Sequence, residues 1–419
     1  MTTLFFILYI AALAFQLGLQ HLNHRHLRHF GHQVPTGFSE VLDAATLGKA
    51  SDYTLIKGQL ALWHKLFDSA VTLLFIFGGL LAWYDGWLEN FDLGFITAGL
   101  VFFLLLSLVQ SVLGIPFDLY SHFNIEKRFG FNNMSFRLWC ADQLKALLLS
   151  TLFMGLLISA ALWLIQVAPQ TWWLWVWGLL VGFALVMMII SPYVIEPLFF
   201  KFEPLQVEGL ETQIRAMMEK TGLSVSKVLQ VDASKRSGHS NAYFTGLGKQ
   251  KRVVLFDTLL KQLEPEQILA VLAHELGHMK KKHITKRLVL MSAAALFYCW
   301  LTWVLIAWDG LPGLVGLEQA SFYARVVVLF FLAGILTFPL TPLFSLLSRR
   351  HEYQADRFAS ELHGNPEDLA SALVQMSKEN LSNLHPHPLY ARFYYSHPPV
   401  VERVGRLRET LKAAHTDQV

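Results

Sequence analysis

Apolar residues along the chain gather into seven long runs, near residues 3–20, 66–84, 94–117, 145–166, 171–195, 288–308 and 324–347. Each is long enough to cross about 30 Å of hydrocarbon as a helix rising about 1.5 Å per residue. Two intervening polar segments are long enough to fold, 196–287 between the fifth and sixth runs and 348–419 after the seventh. The first opens on a helical pattern, VEGLETQIRAMMEKTGL. It continues with β-type alternation in KVLQVDA, SNAYFTG and KRVVLFD, broken by Gly, Ser and Lys, which predicts a small antiparallel sheet. A second helix is expected from about Pro265 through His278. No internal repeat or low-complexity tract interrupts this order. The expected architecture is mainly α and polytopic, with membrane helices one to five and their loops in 1–195, a cytoplasmic domain in 196–287, helices six and seven in 288–347, and a C-terminal cytoplasmic part in 348–419.

Composition agrees: of 419 residues, 54% are hydrophobic and only 16% charged, with 12 Trp and 32 Phe, far from a soluble domain. The net charge of +3 decides little, but its distribution decides orientation. Segment 21–65 carries Arg25, Arg28, Lys49, Lys57 and Lys65, and segment 118–144 carries Lys127, Arg128 and Arg137. Residues 85–93, 167–170 and 309–323 carry no Lys or Arg. Basic loops stay on the cytoplasmic side, so the N-terminus faces out and both polar segments face in. The first run lacks the flanks and cleavage site of a signal peptide and is read as a retained span. Cys140 and Cys299 stand beside or within apolar runs and define no disulfide framework.

Chemistry concentrates in VLAHELGHMKKKH at 271–283. On a helix, His274 and His278 project from one face a turn apart, with Glu275 turned toward the same mouth. Two imidazoles at this spacing suit zinc, with room for a third protein ligand and a water, and the adjacent carboxylate can accept a proton. The sixth and seventh spans form an antiparallel pair, so the helix entering one and the helix leaving the other meet on the cytoplasmic side. RRHEYQADRFA begins just past the seventh span, which puts Glu352 at the same depth as His278 and makes it the third ligand. Asp356, one turn on, can accept the second N–H of a ligand imidazole.

HELGH, a pair of spans and then E-x-x-x-D resembles the type I CAAX prenyl endopeptidases, integral-membrane zinc metalloproteases. IEKRFGFNNMS at 125–135, HSNAYFTGLGKQKRVVLFDTLL at 239–260, SRRHEYQADRFA at 348–359 and HPHPLYARFYYSHPPVVERV at 385–404 carry the resemblance over nearly the whole chain. It implies seven helices enclosing a chamber, a gluzincin-like protease domain, and one Zn²⁺ per chain on His274, His278 and Glu352. Glu275 is then general base and proton donor, and His397 the donor to the developing oxyanion. Arg403 supports His397 or binds the substrate carboxylate, and Asn241 opens a substrate-binding edge strand. Gln110, Ser111 and Asp68 are polar positions that either face the chamber or bond between helices. Met279 stands where a Trp is expected and Phe129 where a His often stands; these departures touch substrate detail and leave the metal in place.

The expected partners are peptide or protein substrates, prenylated ones included, and the lipid bilayer. Nothing points to nucleic acid, and the oligomeric state stays open, a monomer included. A broad quality-control endopeptidase for membrane proteins is the alternative function. Short outer loops and a C-terminus without a retention signal favour a bacterial inner membrane, with the endoplasmic reticulum as the alternative. Three histidine-bearing stretches are not read as sites. HLNHRHLRHFGH mixes faces and lacks a carboxylate, KKKH at 280–283 reads as a solvated patch facing the membrane, and HPHP at 385–388 as a turn. A retinal protein would need a Lys in the seventh run, which has none, and a transporter would need charges at mid-membrane.

Overall fold

In a computed structural model, residues 1–39, 41–246 and 250–416 are described. The membrane part consists of α1 (Thr2–Phe30), α2 (Ala44–Ile76), α3 (Leu80–Glu89) and α4 (Phe95–Tyr120), which continues through a π-helical stretch, Ser121–Glu126, into the single turn α5 (Lys127–Phe129). Helices α6 (Phe136–Val167) and α7 (Trp172–Ile190) follow, the latter leading through a second π stretch into the short α8 (Glu196–Phe199). Among the described residues six helices are long and apolar enough to span, and α2 with α3, bent by 56° at residues 77–79, gives a seventh when the pair is taken as one span. The expected second span therefore straddles a break, where Gly79 at φ 84° caps α3 in a conformation a side chain would strain.

The polar segment after α8 holds β1 (Phe202–Pro204), α9 (Leu210–Lys220), β2 (Ser224–Val231), β3 (Ala242–Thr245), β4 (Gln250–Phe256), α10 (Asp257–Gln262) and α11 (Pro265–Lys280). The remaining elements are α12 (His283–Ile306), α13 (Phe322–Thr337), α14 (Thr341–His363), α15 (Pro366–Glu379), α16 (Pro388–Tyr394) and α17 (Val400–Thr416). A 3₁₀ turn at Phe338–Leu340 joins α13 to α14, giving one apolar-to-polar run of 42 residues.

Contacts between the spans run in a closed circuit, from α4 through α6, α7, α12 and α13 back to α4. In the six single-helix spans few residues of the most apolar stretch are buried. Most of the span surface is thus left open, while Leu81, Phe102, Leu162, Tyr323 and Val328 of α3, α4, α6 and α13 pack into one apolar cluster.

The sheet corrects an expectation. Its order is β1-β2-β4-β3, with β1/β2 and β3/β4 antiparallel but β2/β4 parallel. It is mixed because the chain leaving β2 passes to the far edge to form β3 and returns by a hairpin as the inner strand β4. Alternation locates strands and is silent about which neighbours pair. One core joins α9 (Ile214, Met218), the sheet (Val253, Leu255), α11 (Ile268, Leu272), α15 (Leu369) and α17 (Val404). Phe38, Leu42 and Leu47 from the loop after α1 and the start of α2 complete it, so residues 196–287 and 348–419 share one hydrophobic interior.

At the other end of the spans, Asp85 is 6% exposed and accepts hydrogen bonds from the Ser321 amide, at 2.8 Å, and from its hydroxyl, tying α3 to the N-terminus of α13. Asp85→Ala leaves two half-buried donors of Ser321 unmet, a cost of about 1–3 kcal/mol. A lowered thermal unfolding midpoint in detergent, with Asp85→Asn intermediate, is the expected result.

Candidate metal centre

Helix α11 starts at a capping box, Glu264 with Gln267, and at Pro265 in its first turn. Leu272, Ala273 and Leu276 are fully buried on its inner face, which fixes its rotation and turns His274 and His278 toward α14. The two helices approach so closely at Gly277 that a Cβ there would lie 2.9 Å from Ala355 Cα and 3.1 Å from its carbonyl oxygen. Glycine is required by this contact and not by its backbone dihedrals.

The close approach brings the expected ligands together. His274 Nε2 and His278 Nε2 are 3.2 Å apart. Glu352 Oε2 is 3.5 Å from the former and Oε1 3.3 Å from the latter. A tetrahedral zinc with bonds of about 2.0–2.1 Å separates its ligand atoms by about 3.3 Å. Glu352 is 4% exposed, and its Oε2 is buried without a well-directed hydrogen bond. A buried carboxylate oxygen left in this way, beside two imidazole nitrogens, fits a cation. Burial alone would raise the Glu352 pKa, but the neighbouring imidazoles of His274, His278 and His397 outweigh it and hold the carboxyl well below its ordinary range.

Behind the triad, Asp356 Oδ1 lies 2.8 Å from His274 Nδ1, the ring nitrogen turned away from Glu352. Arg403, 7% exposed, donates to both Asp356 oxygens, from Nε at 2.9 Å and from Nη2 at 2.5 Å. Burial would raise Asp356; its bond to His274 and the Arg403 charge overcome that and keep it ionised. The guanidinium is committed to Asp356, with Nη1 3.6 Å from Glu352, a placement that favours support of the site over contact with a substrate carboxylate. His397 sits at the open side, its side chain 67% exposed, with Nδ1 2.8 Å from Glu352 Oε2. Glu275 is half-buried next to His274.

Asn241 is exposed and immediately precedes β3, which pairs with β4 on one side and lies at the sheet's edge, in contact with α11. The IEKRFGFNN block docks against this region. Glu126 accepts from Tyr53 at 2.8 Å and Lys57 at 2.9 Å, and Phe131 stacks on His239 at 4.1 Å. KKKH at 280–283 needs correction: the three lysines are exposed, but His283 is 4% exposed and its Nδ1 lies 3.1 Å from His278 Nδ1. The i, i+5 spacing across a helix end was the available signal, and it reads as nothing unless the turn's geometry is known. HPHP shapes a turn as expected, with His387 capping α16.

Spans carrying an HExxH helix, with a downstream glutamate brought to the same point, define an integral-membrane metallopeptidase. Family models match both parts: residues 23–201 match "CAAX prenyl protease N-terminal, five membrane helices", and residues 204–411 match "Peptidase family M48". The chain is 32% identical to the human CAAX prenyl protease 1 homolog over 428 residues, covering 90% of this chain and 88% of that one. CAAX prenyl protease 1 of Saccharomyces cerevisiae is 33% identical over 402 residues, with 90% and 88% covered. The crystal structure of S. mikatae Ste24p matches with a TM-score of 0.88 at 29% identity, covering 97% of this chain and 98% of that one. The chain belongs to the M48 metallopeptidases, in the CAAX prenyl protease 1 family. These relatives are eukaryotic and lend nothing to the bacterial assignment.

Gly277→Ala is expected to part α11 from α14, lowering stability by about 1–3 kcal/mol and zinc affinity at least tenfold. Glu352→Ala should release metal altogether. Zinc per chain after dialysis, together with the unfolding midpoint, checks both; full zinc content in Glu352→Ala would remove it from the ligand set.

Proposed function

We propose that this chain is a zinc endopeptidase that cleaves prenylated proteins near their C-terminus at the cytoplasmic face of a membrane. The carrying observation is the convergence of His274, His278 and Glu352 within hydrogen-bonding distances of one another, on helices that lead directly into spans. Zinc held by these three residues would supply Lewis acidity and an acidified water.

The chain's own groups do the rest. Glu275 takes a proton from the attacking water and delivers it to the leaving amine. His397, exposed at the open side, donates to the oxyanion as it develops. Asp356 holds His274 in the tautomer that points its Nε2 lone pair into the triad, and Arg403 fixes Asp356. The outer edge of β3, beginning at Asn241, receives the peptide as an added strand, through backbone hydrogen bonds that leave side chains loosely read.

The depth of the site favours a lipidated substrate over a soluble one, because withdrawing an isoprenyl chain into water costs about 0.8 kcal/mol per CH₂. The names of the human and yeast relatives point the same way, and their eukaryotic source fits the endoplasmic reticulum as the location. Broad quality-control cleavage would use the same residues and is separated by substrate.

Purified protein is to be incubated with a farnesylated CAAX peptide, its unprenylated twin and an unfolded membrane protein, each with and without o-phenanthroline. Cleavage of the farnesylated peptide alone, abolished by the chelator, is expected. Equal cleavage of both peptides would sink prenyl recognition. Glu275→Gln should lower turnover by about 10²–10⁴-fold at unchanged zinc content; undiminished turnover would remove the assigned base.

A further inference from the structure

The turn between α11 and α12 buries a histidine outside the ligand triad. Lys282 adopts a left-handed conformation, φ 56°, and caps α12, so that the chain reverses and His283 becomes the first residue of the next helix. The lysines before it remain in solvent, while His283 packs inward against His351, ring centroids 4.0 Å apart and planes at 10°. Both of its nitrogens are engaged. Nδ1 is 3.1 Å from His278 Nδ1, and Nε2 is 2.9 Å from Gln354 Oε1.

Proton bookkeeping along this chain has one solution compatible with a cation. Gln354 Oε1 can only accept, so His283 Nε2 carries the hydrogen and a neutral His283 offers a lone pair at Nδ1. That lone pair accepts the Nδ1–H of His278, which leaves the His278 Nε2 lone pair facing His274 Nε2 and Glu352. If the Gln354 amide is reversed the relay inverts, and His278 would present an N–H to the triad, where it repels a cation. The metal-competent tautomer of His278 thus depends on a neighbour two residues past Glu352.

We propose that His283, held by Gln354 and stacked on His351, is a positioning residue for the metal centre: it accepts the outer N–H of His278 and so fixes the lone pair that His278 presents to zinc. The two ligand histidines then have unlike partners. His274 leans on a carboxylate, Asp356, and His278 on a neutral imidazole. Outer partners of this kind typically alter metal affinity about 10–100-fold. The neutral partner adds no third negative charge to those of Glu352 and Asp356, which would leave a bound zinc more electrophilic than a carboxylate behind His278 would.

The assignment rests on the metallopeptidase reading, and the test separates the two. Full-length protein in detergent is titrated with zinc in competition with a chromogenic chelator, and its cobalt(II) form is examined by visible absorption. Wild type should bind one zinc. His283→Phe keeps the stack on His351 and removes the acceptor; zinc affinity should fall about 10–100-fold and the cobalt bands should change. His283→Asn, whose Oδ1 can occupy the place of Nδ1, should recover most of the affinity and the wild-type bands, which a merely space-filling role would not predict. Gln354→Met, which removes the far acceptor, should give a smaller loss in the same direction and stands in if His283→Phe fails to fold. Wild-type affinity and bands in His283→Phe, or equal losses in the Phe and Asn variants, would overturn the assignment while leaving a zinc peptidase intact. Wild type that binds no zinc would overturn the metal reading and this assignment with it.

Discussion

The approach of α11 to α14 at Gly277 and Ala355 governs the rest of the molecule. With 2.9 Å between the Ala355 Cα and the place a Cβ would occupy, the backbones meet without an intervening side chain. Only at such a separation can His274 and His278, one turn apart on one helix, share a point with Glu352 on the other. Each helix is continuous or nearly so with a span, α11 through a short turn into α12 and α14 through a 3₁₀ turn from α13. The catalytic geometry and the membrane wall are therefore parts of the same rods.

That contact gathers charge where water is scarce, and the charge is balanced within one turn of helix. Glu352 and Asp356 are both buried, and an isolated carboxylate at either place would be costly. Arg403 faces both, and His274 bridges them through its two nitrogens. Arg403 comes from the start of α17, which packs against α14 and α15 through Val404 and Leu407. The last helix of the chain thus has an electrostatic reason to be where it is, beyond covering the core.

Much of this was legible in the sequence because it rests on periodicity and on chain connectivity. His274, Glu275 and His278 follow from i, i+4 spacing, and Glu352 with Asp356 from the antiparallel pairing of two spans. What was missed depends on contacts between segments distant in sequence. Alternation in KVLQVDA and KRVVLFD could not show that these strands lie side by side in parallel, and β1, with three residues, is too short to leave a pattern. The bend between α2 and α3 falls inside an unbroken apolar run. For Arg403 the sequence left open support of His397 or contact with a substrate carboxylate, and its pairing with Asp356, 47 residues away, had no local signal. His283 read as solvated because it follows three lysines; only the left-handed turn at Lys282 turns it inward.

The depth of the metal centre follows from the same rods. The run from Phe322 to His363 has 42 residues, about 63 Å of helix, roughly twice the hydrocarbon thickness, so its polar half must project from the bilayer. Glu352 stands five residues past Leu347, where the apolar stretch ends, which is about 8 Å along the helix. An extended peptide residue covers at most about 3.3–3.6 Å, so a lipid-bearing side chain next to the scissile bond is only about two residues' length from hydrocarbon. A soluble peptidase would have to extract that lipid, at about 0.8 kcal/mol for every CH₂ withdrawn. Fixing the ligands to span-forming helices removes this term from the barrier, because the peptide can reach the site while the lipid remains in an apolar surrounding. Under the proposed function, a preference for lipidated chains would be chiefly a matter of where the ligand triad stands, which would leave the edge strand β3 free to accept peptides of varied sequence.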